Sequence, residues 1–352
     1  MAGQRLNRGS SRAKDFAMSV IDQAEQLVDP KLTRTISMGP HLVQLSFISP
    51  GWLTDLIAGA FIRSAEPKSG SQGADATRVY ICQSGDGVVL PNLDWAHKWI
   101  AEGSVIPSQL SAPYRVFIDR NQGIIYCFNP EQNCAVIYLR NPRELDLRSF
   151  ITPFRLLWSW IAIGSSSLVL HAAAVGVNGR GVLLSGPSGS GKSTLAVTAG
   201  LSGANAIVSD DCVLVHQGTI HAIYSRVKLE KRNLEAIGLK GDVKVHELRG
   251  APNAKSFVQI DASFKGAIPK IEASVLVFPA IYGRAGFYQI PKKRSTSMLT
   301  SDSMRELFHG TPLARRGIDR LVAELPTYRL LLEESSHENI RNLESLVSHV
   351  TA

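Results

Sequence analysis

Eight consecutive residues, Gly186-Pro187-Ser188-Gly189-Ser190-Gly191-Lys192-Ser193, match a complete GxxxxGK[ST] pattern. Each fixed position has a physical task. Glycines let successive backbone N–H groups converge on phosphate oxygens without a Cβ in the way, and a helix that follows adds its positive end. Lys192 has the reach for β and γ phosphates, and the Ser193 hydroxyl can complete a magnesium shell. Chance alone gives such a match on the order of once in a hundred chains of this length. Gly186 through Ser193, with Thr194 after them, are therefore the candidate nucleotide contacts, and ATP with Mg²⁺ is the expected ligand pair.

Two further features have the chemistry to act on a bound phosphate. Asp210-Asp211 ends the next apolar run, where a parallel strand would deliver carboxylates to the phosphate edge of a sheet. An acidic pair at a strand end is ordinarily a solvated turn, but beside a phosphate loop it supplies an oxygen ligand for magnesium and a base for an attacking hydroxyl. His171 lies fifteen residues before the loop, on the run that leads into it. A lone histidine among apolar residues is ordinarily a core residue, so composition alone gives it no role.

These residues need a particular frame. Gly181–Ser185 reads as a buried strand into the loop, and the run from Ser193 to Leu201 as the helix out of it, the context that such a loop requires. Ala206–Ser209 reads as a strand ending at the acidic pair. Upstream, a helix over Phe150–Ile163 precedes a strand over Leu168–Val177, with Asn178-Gly179 as a tight turn. The near-chargeless stretch from Leu156 to Val177 is long enough to span a bilayer, yet Gly164-Ser165-Ser166-Ser167 breaks it and His171 interrupts it, so two buried elements explain it better. Further on, Ala273–Phe278 and Thr327–Leu332 read as strands, with a helix around Ile318–Glu324 and a last helix that Ser335 and Glu338 could cap as a box.

The first half has no catalytic spacing. Residues 13–28 place Phe16, Val20, Ala24, Leu27 and Val28 on one helical face, ended by Pro30, to dock on the same domain or on a partner. A helix over Trp52–Ile62 and a loop over Glu66–Ala76 are expected next. Strands read at Arg78–Cys82, Tyr114–Asp119, Ile124–Phe128 and Cys134–Leu139, with turns at Asn121-Gln122-Gly123 and Asn129-Pro130. The expected organisation is a tail and amphipathic helix over 1–34, a strand-rich α+β accessory domain over 35–148 and a catalytic domain over 149–352.

Bulk properties bound the rest. Hydrophobic residues make up 44% and charged residues 19% of the 352, the composition of an ordinary globular chain. A formal charge of +8 favours anionic partners, but its densest pieces, at Arg5 to Lys14, Lys292-Lys293-Arg294 and Arg315-Arg316, read as solvated surface. No basic stripe with interleaved aromatics appears, which argues against nucleic acid. With no apolar stretch behind the basic start, the default location is cytoplasmic. Cys82, Cys127, Cys134 and Cys212 lack metal-finger spacing and are expected as reduced thiols; Cys127 and Cys134 could face each other across a hairpin.

Residues 168–215, LVLHAAAVGVNGRGVLLSGPSGSGKSTLAVTAGLSGANAIVSDDCVLV, resemble the catalytic core of the HPr kinase/phosphorylase family and its HPr-kinase-like relatives. In that family a histidine opens a two-stranded hairpin, the phosphate loop follows, and a short helix leads to an Asp-Asp pair. The resemblance implies an α/β P-loop kinase core of the HPr kinase/PEP carboxykinase-like type. It implies Asp211 as general base, His171 as its neighbour, Lys192 on the transferring phosphoryl group and Asp210, with Ser193, beside the metal. A magnesium-binding glutamate is implied too, at Glu247 within Glu247-Leu248-Arg249-Gly250 or at its rival Glu230. Thr194 stands where true HPr kinases have glutamate, and their long glycine-rich signature is absent, so the likeness is to HPr-kinase-like serine kinases, including those of lasso-peptide precursors. The implied acceptor is a serine of a small protein or peptide, in a homo-oligomeric enzyme. A small-molecule kinase on the same core, or an ATP-binding regulator without transfer chemistry, are the alternatives.

Overall fold

The computed structural model describes residues 2–61, 76–94, 114–230, 237, 245–247, 255–260, 266–307 and 312–351. It shows a mixed α/β protein with several sheets, divided into two compact units: Met1–Gly59 with Arg63–Phe150, and Ala60–Ile62 with Ile151–Ala352.

The first unit is a six-stranded sheet under one long helix. Its strands are β1 (Thr33–Met38), β2 (His41–Phe47), β3 (Thr77–Gln83), β4 (Arg115–Asp119), β5 (Ile124–Asn129) and β6 (Cys134–Leu139). They lie in the order β1-β2-β3-β6-β5-β4. The helix Ala2–Gln26 buries Phe16, Ala17, Val20, Ile21 and Ala24 against Tyr80, Val116, Ile125 and Val136 of that sheet. Each such phenylalanine, valine or isoleucine side chain contributes roughly 1.5–3 kcal/mol. Glu25 fastens the helix to β3, accepting from Tyr80 Oη at 2.9 Å and pairing with Arg78. The helix thus docks on its own sheet. Leu27, expected on its apolar face, is exposed because the helix stops at Gln26. Asp29 then caps a short turn through Lys31 N–H at 2.9 Å, with Pro30 at its first position.

The hairpin register separates the two candidate cysteines, setting Cys127 opposite Val136 and Cys134 opposite Asn129. All four thiols are buried and free, and burial pushes Cys82 up to about 12 and Cys134 to about 11, far from the reactive thiolate. The helix expected to reach Ile62 spans only Trp52–Ala58. The expected loop over Glu66–Ala76 lies, save for Ala76, outside the described residues.

The second unit is built on a nine-stranded sheet with helices on both faces. Its strands are β7 (Leu168–Leu170), β8 (Ala173–Val177), β9 (Arg180–Leu184), β10 (Ala206–Ser209), β11 (Val213–His216), β12 (Thr219–Ala222), β16 (Lys270–Ile281), β17 (Gly286–Gln289) and β18 (Thr327–Leu332). The main path runs β10-β8-β9-β16-β12-β11-β7, and β18 bridges β16 and β17. Side chains alternate as strand geometry requires. Val182, Leu184, Val275 and Val277 point to one face, where the helices Lys192–Leu201 and Ser336–Thr351 supply Leu195, Val197, Leu343 and Leu346. Leu183, Leu276 and Phe278 point to the other, against Leu299 of the helix Lys292–Leu307 and Ile318, Leu321 and Val322 of Pro312–Glu324. A separate small sheet joins β13 (Arg226–Glu230), β14 (Val245–Glu247) and β15 (Lys255–Gln259) in the order β13-β15-β14.

Several expectations shift here. The single helix expected over Phe150–Ile163 is split into Leu147–Ile151 and Arg155–Gly164, because Pro153 interrupts the run and Phe154 takes a left-handed φ of 62°. Trp158 Nε1 and Tyr224 Oη both donate to Pro153 O, at 2.8 and 2.6 Å, and fix that break. The single strand expected over Leu168–Val177 is split at His171-Ala172, so that β7 pairs β11 while β8 pairs β9 and β10. Asn178-Gly179 makes the tight turn between β8 and β9, with φ of 51° and 75°. Lys292, read as solvated surface, is exposed and also closes the end of the helix Pro312–Glu324 by donating to Val322 O at 2.7 Å and to Leu325 O. Of the last helix's box, Ser335 Oγ accepts from Glu338 N–H at 3.2 Å, while the Glu338 carboxylate pairs with Arg341. Among the described residues no helix is long and apolar enough to cross a membrane.

Candidate functional site

Strand polarity gathers the three sequence features at one edge of the large sheet. β9 and β10 each run antiparallel to β8, so their carboxyl ends and the start of β8 lie on the same side. The glycine-rich loop follows β9, Asp210-Asp211 follow β10, and His171 comes just before β8. The carboxyl ends of β16 and β18 reach this edge too, since β16 is parallel to both β9 and β18. Carboxyl edges of parallel strands are where α/β sheets hold ligands.

The loop enters the helix Lys192–Leu201 through Gly191, whose φ of 95° suits glycine, and no side chain caps the helix start. Its first N–H groups are therefore left for a ligand in the loop. A Cβ on Gly191 would stand 2.5 Å from Leu332 Cδ1, on top of the backbone strain. Gly191→Ala is expected to cost roughly 1–3 kcal/mol and to weaken nucleotide binding; thermal denaturation and calorimetry would check both, and an unchanged melting temperature would contradict it. Ser190 Oγ is buried with no hydrogen-bond partner among the described residues, an orphan of the kind a phosphate oxygen satisfies. Buried Lys192 folds its ammonium over the loop, donating to Gly186 O and, at 3.2 Å, to Pro187 O.

Ser193 Oγ donates to Asp210 Oδ1 at 2.8 Å, which joins the start of the helix to the end of β10. Asp210 is 1% exposed, and its Oδ2 has no hydrogen-bond partner among the described residues. Burial first, and the neighbouring Asp211 charge second, push its carboxyl up to about 6, against the downward pull of Ser193 and Lys192. A carboxyl raised from 3.8 favours the fold when protonated, so stability is fully present below pH 3.8 and falls as pH rises through about 6, by roughly 3 kcal/mol. Asp210→Asn should therefore raise the melting temperature at pH 8 in the presence of a chelator and leave it little changed near pH 4. A variant no more stable than wild type at pH 8 would contradict this.

Magnesium takes one or two protein oxygens together with phosphates and waters. The Ser193 hydroxyl and the orphaned Asp210 Oδ2 fit that demand, whereas no group of three or more His, Cys, Asp or Glu residues among the described ones forms an all-protein cage. Glu230 and Glu247 end strands β13 and β14, which share β15 as partner; their carboxylates lie outside the described side chains.

Asp211 sits at the tip of a tight turn. Cys212 N–H donates to Asp210 O at 2.7 Å across it, Asp211 has a φ of 62°, and Ser209 Oγ donates to Cys212 O at 3.0 Å. A non-glycine residue held this way stores local strain of the kind that clusters at active sites. Two donors face its carboxylate, Arg155 Nη1 and Thr152 Oγ1, each 3.4 Å from Oδ2, and His171 Nδ1 stands 3.6 Å from Oδ1, beyond hydrogen-bond reach. Sequence reasoning brought His171 and Asp211 together but missed Arg155 and Thr152. The only signal was one basic residue opening an otherwise apolar helix. Two more were missed on the helix Lys292–Leu307, where Asp302 Oδ2 stands 3.5 Å from Ser185 Oγ, just before the loop, and Ser303 Oγ accepts from His171 N–H at 3.3 Å.

No protein-family model matches the chain, and no curated protein matches it in sequence. Among solved structures it is similar to the Hpr(Ser) kinase/phosphatase from Coxiella burnetii, with 10% identity over 52% of this chain and 97% of that one and a TM-score of 0.26. So slight a likeness carries no function, which has to rest on the residues of the site.

Proposed function

We propose that the chain is an ATP-dependent phosphotransferase that moves the γ-phosphate to the hydroxyl of an acceptor, and that the acceptor is a serine on a small protein or peptide. The observation that carries this reading is one sheet edge that presents a glycine-rich loop with its lysine, a Ser193–Asp210 pair and a second carboxylate, Asp211, held among donors. A loop that only sensed nucleotide would have no use for Asp211. Serine as the acceptor is supported by the sequence resemblance of residues 168–215.

Each residue then has one task. The loop amides and the helix start bind the phosphates, and the Lys192 ammonium turns from the loop carbonyls to the oxygens that gain charge in transfer. Ser193 and Asp210 would hold Mg²⁺, which neutralises the β and γ oxygens when bound. Asp211 accepts the proton of the acceptor hydroxyl as its oxygen bonds to the γ phosphorus and the bond to the β-phosphate oxygen breaks, releasing ADP. Arg155 and His171 keep that carboxylate aimed.

Labelled ATP tests the reading. Incubation with Mg²⁺, [γ-³²P]ATP and a serine-containing peptide library should yield phosphoserine, and Ser193→Ala should need several-fold more magnesium for the same yield. Absence of phosphoserine with label lost to a sugar or other small alcohol would move the acceptor to a small molecule. Absence of any magnesium-dependent loss of label would overturn the proposal.

A further inference from the structure

The loop and acidic pair account for phosphates, metal and proton, but nothing in them holds a nucleoside base. The same sheet edge carries an apolar feature that does not serve the core. β16 ends there in Ile281, followed by Tyr282, and the two are 69% and 62% exposed although they close a strand that is otherwise buried along Val275–Phe278. Their position is fixed rather than loose. Tyr282 N–H and Gly283 N–H both donate to Leu332 O, at 2.9 and 3.2 Å, and Leu332 is the residue whose Cδ1 lies against Gly191 of the loop. Pro279 O, two residues before Ile281, lies 3.8 Å from where a Gly186 Cβ would stand. Ile281-Tyr282 is thus held by a strand whose Leu332 lies against Gly191, and it follows Pro279, which lies near Gly186.

Tyr282 also has a second planar group beside it. The Arg284 guanidinium lies 5.5 Å from its ring centroid, over one face, and large exposure leaves ring surface for another partner. An aromatic face backed by a guanidinium, next to an aliphatic side chain, is the chemistry that stacks a heteroaromatic ring and tolerates several bases. In its exposure the pair contrasts with Phe278, fully buried three residues before Ile281.

We propose that Ile281 and Tyr282 form the platform on which the purine base of the nucleotide stacks. This inference rests on the phosphates binding in the glycine-rich loop, as proposed above. It adds that affinity for a nucleotide exceeds affinity for the phosphate chain alone, and that the excess comes from the end of β16.

Calorimetry with two probes, ATP and inorganic tripolyphosphate, each with Mg²⁺, separates the two claims. Tyr282→Ala should weaken ATP binding by about 5- to 160-fold, the range for loss of one base-stacking partner, and leave tripolyphosphate binding unchanged; Tyr282→Trp should keep ATP affinity. Because the side chain is exposed, the melting temperature should hold. ATP affinity within twofold of wild type in Tyr282→Ala, or an equal loss for tripolyphosphate, would overturn the platform while leaving the loop's role intact. If wild type binds neither probe, the loop itself has failed, and the platform with it.

Discussion

Lys192→Ala is expected to lower nucleotide-dependent turnover by about 10²- to 10³-fold, the scale for removing one preorganised donor from a charge that develops in transfer. The lysine is buried, and its ammonium donates to the carbonyls of Gly186 and Pro187 within the loop. Those two acceptors carry no charge, so exchanging them for anionic phosphate oxygens makes stronger hydrogen bonds. Removing it should leave the fold in place, because the helix behind it is held by Leu195, Ala196, Val197 and Ala199 in the core. Turnover, nucleotide affinity and melting temperature measured together would check this. Turnover near the wild-type value in a folded Lys192→Ala would contradict the role given to the loop.

Much of the second unit was legible in the sequence, because its elements obey strong local rules. The glycine pattern, the Asn178-Gly179 turn and the short apolar runs at Ala206–Ser209 and Thr327–Leu332 each point to one conformation, and the structure has them where the sequence placed them. What escaped depends on contacts distant in sequence. Nothing local reveals that Arg155 and Thr152 approach a carboxylate more than fifty residues later, or that the helix Lys292–Leu307 lies behind the loop. The split of Leu168–Val177 was equally hidden, since both halves are apolar and buried and differ only in which strand they pair. That split matters to the site, because it sets His171 at a corner between strands rather than inside one. The basic run at Lys292-Lys293-Arg294 is exposed, as its composition suggests, but the bonds from Lys292 to a helix end are not readable locally.

Asp211→Asn should separate binding from chemistry. The amide keeps the shape of the side chain, asparagine tolerates the left-handed φ of 62°, and the donors Arg155 and Thr152 still find an oxygen. What it loses is the capacity to take the acceptor's proton, a loss of about 10²- to 10⁴-fold in rate for a positioned base. ATP affinity should stay within a few-fold of wild type, because the phosphates are bound by the loop and not by this residue. Loss of nucleotide binding along with transfer would instead make Asp211 a ligand of the metal or a support of the turn. Asp210→Asn should behave differently, acting through the magnesium requirement, because its carboxylate faces Ser193 Oγ at 2.8 Å and not the cluster of Arg155 and His171.

The central claim is that this sheet edge transfers the γ-phosphate by way of Asp211. It is tested most directly by following label from Mg²⁺·[γ-³²P]ATP in single turnovers, with water or a serine peptide as acceptor, for wild type and Asp211→Asn at matched nucleotide occupancy. The account predicts that label leaves ATP on the wild-type protein and stays on ATP bound to Asp211→Asn. Equal rates in the two would contradict it.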